Sequence, residues 1–241
     1  MASRREQKEA LRGEREQREA AAKGGERRKQ LLGYAAGLAV VLIAIVAAIA
    51  LLSGGDEGSG ATDVAADVLP DGGSFPEPDS AASVEVAAKA AGCELKSYPS
   101  ESRSPHITDI NEPKVYPSKP PTSGRHYAEW TEDKAFEVAP DVKMLVHTLE
   151  HGRVVIWFKK SLTRERRASL KAYYDSDDYQ LVLTPDETGM RYEVAASAWN
   201  RDPKPNGTGR LLGCPKYDDT VFTALEAFKD EHRGRGPEPV P

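Results

Sequence analysis

From Leu31 to Leu52 the chain carries no charged side chain and consists of Leu, Ile, Val and Ala interrupted only by Gly33, Tyr34 and Gly37. At about 1.5 Å of rise per residue a helix of that length measures roughly 33 Å, enough to cross the hydrocarbon core of a bilayer. Residues 31–52 are therefore expected to form a transmembrane helix, with the lipid bilayer as the first partner. Arg27, Arg28 and Lys29 abut the run on one side and Ser53-Gly54-Gly55-Asp56-Glu57 on the other. By the positive-inside rule this keeps 1–30 in the cytoplasm and sends the remainder out. A cleaved signal peptide would need a small-residue site beyond the apolar run, but Ala48-Ile49-Ala50 lies inside it. The expected location is the cell membrane, single-pass, with an extracytoplasmic C-terminal domain.

Residues 1–30 hold ten Lys or Arg against six Asp or Glu, a net +4, so in a chain that sums to −5 the rest carries −9. The basic tail, interrupted by Gly13, Gly24 and Gly25, is either a solvated coil or a fraying helix on the anionic inner leaflet. An acidic outer portion excludes nucleic acid as a partner. Residues 53–90, dominated by Gly, Ser, Asp, Ala and Pro, have too few large apolar side chains to bury a core and are expected to be a flexible linker. Its end, Val84 to Ala91, can form a short helix before Cys93. Gly234-Arg235-Gly236-Pro237 reads as a helix stop followed by a loose tail, 234–241. One domain, 91–233, remains.

Within that domain the proline-rich stretch 98–141 is expected to be an ordered, irregular loop. Lys143 to Leu149 and Arg153 to Phe158 are expected as strands joined at Gly152, the second apolar on both faces and hence central. Leu162 to Tyr174 is helical in composition, and Gln180 to Leu183 and Tyr192 to Ala198 read as strands. Val221, Ala224, Leu225 and Phe228 recur at helical spacing behind Asp218 or Asp219 as the cap. This order predicts an α+β fold, a mostly antiparallel sheet with helices on one face, with a thioredoxin-like α/β arrangement as the alternative.

The only cysteines are Cys93 and Cys214, both outside the membrane on this orientation, where thiols are oxidised. A disulfide is the first expectation; two free thiols or soft metal ligands are the others. Neither belongs to a Cys-x-x-Cys pair, which argues against thioredoxin-type redox chemistry. Four of the five histidines, His106, His126, His147 and His151, fall within 46 positions. His147 and His151 are four apart and share a face in either a strand or a helix.

Three segments carry a family resemblance: Pro120-Pro121-Thr122-Ser123-Gly124-Arg125-His126; Val146-His147-Thr148-Leu149-Glu150-His151-Gly152-Arg153-Val154-Val155; and Leu212-Gly213-Cys214-Pro215. Together, over about 91–233, the chain resembles the membrane-anchored actinobacterial proteins of the domain-of-unknown-function family numbered 3105. It departs from their usual pattern at Arg125 and at Ala135-Phe136. The resemblance implies no activity.

Neutral imidazoles gathered in an exported domain suit copper or zinc. His147 and His151 would form one edge of a metal site completed by His126, with His106 or Glu150. The alternative is a non-catalytic cell-envelope interaction or structural module whose imidazoles hydrogen-bond the proline-rich loop to the sheet. His147-Thr148-Leu149-Glu150-His151 also matches H-x-x-E-H, the inverted zinc-protease signature, with Glu226 on a later helix. That chemistry needs a helix, whereas a strand here would point Glu150 away from both histidines. No catalytic residue is assigned; an enzyme would need an open metal position with Glu150 as base. Tyr116, Tyr127, Trp130, Phe136 and Trp199 line a groove or belong to the core, and Asn206-Gly207-Thr208 reads as a turn.

Overall fold

The computed structural model describes residues 68–80, 83–100 and 106–238. The apolar run 31–52 lies outside them, and among the described residues no helix is long and apolar enough to cross a membrane. The described elements are α1 (Val84–Ala90), β1 (Glu94–Pro99), α2 (Val142–Glu150), β2 (Val154–Phe158), α3 (Arg164–Ser176), β3 (Leu181–Pro185), β4 (Val194–Asn200), β5 (Thr208–Cys214) and α4 (Val221–His232). The strands form one sheet in the order β1-β5-β4-β2-β3. Every pairing is antiparallel except β2 with β3, which run parallel on either side of α3. The class is α+β, with a mixed but mostly antiparallel sheet.

β2 is the apolar strand expected at the centre, and all five of its residues are buried between β4 and β3. Successive side chains of a strand point to opposite faces. Val154, Ile156 and Phe158 accordingly meet Leu170, Tyr173, Phe222 and Phe228 in a layer built by α1, α3 and α4. Val155 and Trp157 meet Leu145, Val146 and Leu149 of α2, with Tyr192 and Trp199, on the other face. Helices therefore cover both faces, a correction to the expectation of one.

The helix that makes the difference is α2, whose residues 143–149 were expected as a strand. Asp141 caps its first turn by accepting the Lys143 N–H at 2.8 Å. Val142, Leu145, Val146 and Leu149 recur along one face, and Gly152, at φ 86°, stops it. The Gly152 and Arg153 N–H groups close back onto the Leu149 and Thr148 carbonyls at 3.0 and 3.3 Å. What looked like a turn between strands is a glycine-terminated helix end.

β1 and β5 had no counterpart in the sequence reading. β1 is an edge strand, alternately half-buried and exposed. β5 contains two glycines, a composition that weakens any strand signal. Both glycines admit neighbours where a side chain would stand: a Cβ on Gly209 would lie 2.1 Å from Thr122 Oγ1, and one on Gly213 would lie 2.3 Å from the Tyr192 ring. The Pro120–Ser123 turn thus seats its polar side chains directly on β5. The unusual Arg125 pairs with Glu112 at 3.2 Å, and the Phe136 N–H donates to the Leu183 carbonyl at 2.8 Å, so the loop is fixed at both departures.

Neither Asp218 nor Asp219 caps α4; Thr220 holds that position, and Asp218 instead accepts the Thr220 N–H at 2.9 Å. Within the stretch read as a linker, Leu69 is buried and the Phe75 ring lies 5.4 Å from those of Tyr173 and Phe222.

Cys93 and Cys214 form a disulfide that joins the start of β1 to the end of β5, their Cα atoms 4.2 Å apart. The bridge spans a sequence separation of 121 residues, and closing so long a loop restricts the unfolded chain strongly. Replacing both cysteines by serine is expected to cost about 2–5 kcal/mol, read as a lower denaturation midpoint under non-reducing conditions. An unchanged midpoint would show that the bridge adds nothing to stability.

Candidate metal centre

Positions i, i+3 and i+4 of a helix share a face, so the last turn of α2 presents His147, Glu150 and His151 together while Leu145, Val146 and Leu149 face the sheet. The proline-rich loop lies over this polar face. Ile107, buried, donates its N–H to the His126 carbonyl at 2.9 Å and bridges Tyr127, which brings His106 and His126 side by side. Thr131 is tied to α2 through Thr148 at 2.9 Å. The imidazole of His147 lies tilted against three others, its centroid 4.7 Å from that of His126, 4.6 Å from that of His106 and 4.5 Å from that of His151. Trp130, half-exposed, lies edge-on to His147 and His151 at 5.4 and 4.8 Å.

Three of these rings have one nitrogen committed to backbone. His126 Nδ1 contacts the Gly124 carbonyl, His147 Nδ1 that of Tyr127 and His151 Nδ1 that of Glu238, each at 2.8 Å. A carbonyl oxygen only accepts, so each Nδ1 carries the proton, and in the neutral ring the lone pair is then on Nε2. The Nε2 atoms of His126 and His151 are buried without a hydrogen-bond partner.

Glu150 meets this arrangement from below. Its Oε2 lies 3.0 Å from His126 Nε2 and 4.0 Å from His106 Nε2. At 3.0 Å the His126 pair is within hydrogen-bond distance, yet the ring nitrogen is not aligned to donate. A carboxylate oxygen and an imidazole lone pair in such contact repel until a proton or a metal ion is shared between them. The carboxylate is also 97% buried and at the C-terminal end of its helix, where the helix dipole disfavours negative charge. Burial pushes the Glu150 carboxyl up; a proton on His126 Nε2, hydrogen-bonded to Oε2, is what holds the group below the usual range when no metal is bound.

One donor atom each from His106, His126, His147 and Glu150 lies within 4.8 Å of all the others. Four ligands about 2.0–2.1 Å from a tetrahedral zinc stand roughly 3.3 Å apart, so modest closure of the observed set would enclose an ion. Three imidazoles and one carboxylate are a donor set for zinc or copper.

The expected residues thus largely converge. His151 is adjacent but outside the four, its ring held by Glu238. Glu150, expected to point away from the histidines, points at them, because the segment is a helix. The ground for setting aside H-x-x-E-H therefore falls, but Glu226 is engaged elsewhere, with the Tyr173 hydroxyl at 2.8 Å and Lys229 at 2.9 Å, and is no third ligand. Trp199 and Phe136 belong to the core. A cleft of about 520 Å³ is lined by Tyr116, Pro121, Val142 and Leu145 and by none of the four cluster residues.

Sequence reasoning missed the C-terminal segment. Expected as a loose tail, it crosses the end of α2, with Gly234 N–H on the Gly152 carbonyl at 2.8 Å and Glu238 N–H on the Glu150 carbonyl at 3.1 Å. Gly236 packs so closely that a Cβ there would lie 2.2 Å from the Glu150 carbonyl oxygen. The glycines were a signal for this close approach; nothing marked Glu238.

Burial, and after it the neighbouring His126 and His151, lowers the His147 pKa to about 4. Burial, and after it Arg210 and Arg235, lowers that of His232 to about 4, and there Asn200 faces Nδ1 at 3.1 Å. Both rings stay neutral in the folded chain, whereas unfolded histidine takes up a proton near pH 6.5. Their contribution is complete above about pH 6.5 and is lost as pH falls toward about 4. Denaturation midpoints of metal-free protein should decline over that window, and less steeply in His232→Gln. A flat or rising profile would contradict this assignment.

A family model described as "Protein of unknown function (DUF3105)" matches residues 107–240. That span includes His126, His147, Glu150, His151 and Cys214. No curated protein and no solved structure matches the chain.

Proposed function

The chain belongs to the DUF3105 family of proteins of unknown function, and from that premise we propose that it is a membrane-anchored, extracytoplasmic domain that binds one transition-metal ion, zinc or copper, through His126, His147, Glu150 and His106. The observation that carries this is the convergence of one donor atom each from His106, His126, His147 and Glu150 to within 4.8 Å of one another, three of the four residues being buried. A metal placed among the four donors bonds His126 Nε2 and Glu150 Oε2 together, 3.0 Å apart as they stand, and neutralises a carboxylate that burial alone would not tolerate.

The bracing role and the metal role are not exclusive. Nδ1 of His126 and of His147 braces the loop, and the same bond orients Nε2 and raises its basicity, the usual outer-shell arrangement around a metal-bound histidine. Anchoring is supported by the apolar run 31–52 and its charged flanks. The disulfide suits an oxidising compartment outside the membrane. A lipid bilayer and other envelope proteins are the corresponding partners.

Full-length protein in mild detergent, stripped of metal and titrated with Zn(II) or Cu(II), should bind one equivalent and melt at a higher temperature. Saturation at a hundred times Kd corresponds to about 2.7 kcal/mol of stabilisation. Cu(II) should also quench Trp130, whose ring lies 5.4 Å from that of His147. His126→Ala and His147→Ala should each weaken binding by roughly tenfold or more. No stoichiometric binding of either ion by the wild-type chain would dispose of the proposal.

A further inference from the structure

The four donors are not equivalent. His126, His147 and Glu150 are 0–3% exposed. Both histidines are pinned through Nδ1 to backbone carbonyls, and Glu150 is anchored in α2 beneath the C-terminal segment. His106 differs in each respect. Its side chain is 42% exposed. Among the described residues it approaches Glu150 at 4.0 Å and packs its ring on those of His126 and His147 at 4.9 and 4.6 Å. Among the described residues no backbone carbonyl orients it, and the next residue, Ile107, is tethered by its N–H to the His126 carbonyl. His106 thus lies over three buried donors as their solvent-side cover.

A bound metal is exchanged by replacing its ligands one at a time, and replacement begins where an incoming ligand can reach and where the leaving ligand is least constrained. Both criteria select the same residue. Resting on the metal-binding reading above, we infer that His106 is the exchangeable ligand of the site: metal enters and leaves past it, while His126, His147 and Glu150 form the retained floor. A site with three buried ligands and one displaceable one suits an ion that is handed on to a chelating acceptor, whose own donor takes the place of His106. Such an ion is cargo; a permanent structural ion would keep all four of its protein ligands.

The test compares metal release from wild type, His106→Ala and His147→Ala. Full-length protein in mild detergent is loaded with one equivalent of Zn(II), and release to excess EDTA is followed with a chromogenic zinc indicator. Melting curves of the metal-free variants verify folding, which the exposed position 106 should leave intact. His106→Ala is expected to bind one zinc still and to release it roughly tenfold faster or more, whereas His147→Ala should fail to retain it. Release from His106→Ala at the wild-type rate would overturn the inference and leave the metal site standing, and so would complete loss of zinc binding in a folded His106→Ala, which would make it a floor ligand. Undiminished binding by both His126→Ala and His147→Ala would overturn the metal site itself.

Discussion

Three backbone carbonyls, those of Gly124, Tyr127 and Glu238, determine what the histidines can do. Each accepts a hydrogen bond from Nδ1 of one imidazole at 2.8 Å, and each comes from irregular chain whose position the rest of the fold has to guarantee. Gly124 and Tyr127 sit in the proline-rich loop, held down on β5 at Gly209 and on α2 at Thr148. Glu238 is brought in by glycines that let the C-terminal segment lie against the end of α2. Loops without ladder partners must find other ways to satisfy their polar groups. Here the imidazoles supply them and are oriented in return.

Glu150 gives that orientation its consequence. A buried carboxylate at a helix C-terminus, facing an imidazole lone pair, is unfavourable in isolation and favourable around a shared proton or a metal ion. The surrounding structure is closely packed: α2 lies on β2 and β4 through Leu145, Val146 and Leu149, and the Cys93–Cys214 bridge closes the far edge of the sheet. Packed elements beneath and irregular backbone above hold buried donor atoms in place, whereas His106 is exposed.

Much of this was legible in the residues and some was not, for identifiable reasons. The apolar alternation-free run of β2, the helical spacing behind Thr220 and the clustering of four histidines between 106 and 151 all point where the fold puts them. The segment 143–149 misleads because Val146, Thr148 and Leu149 suit a strand locally. Yet Asp141 before it, Gly152 after it and the spacing of Val142, Leu145, Val146 and Leu149 together specify a helix. Reading caps before β-branched content would have recovered α2 and, with it, the direction of Glu150. β5 is hidden by glycines whose purpose, admitting Thr122 and Tyr192, is visible only in three dimensions. Glu238 contributes a carbonyl, which every residue has, so no sequence pattern could single it out.

The most direct measurement is anomalous diffraction from crystals of the protein soaked in Zn(II), recorded on both sides of the zinc edge. The expected result is a single strong peak about 2.0–2.2 Å from His126 Nε2, His147 Nε2 and Glu150 Oε2, with His106 or solvent in the remaining position. A map with no peak there, and with a hydrogen bond or a water joining His126 to Glu150 instead, would contradict the claim that these residues are arranged for a metal.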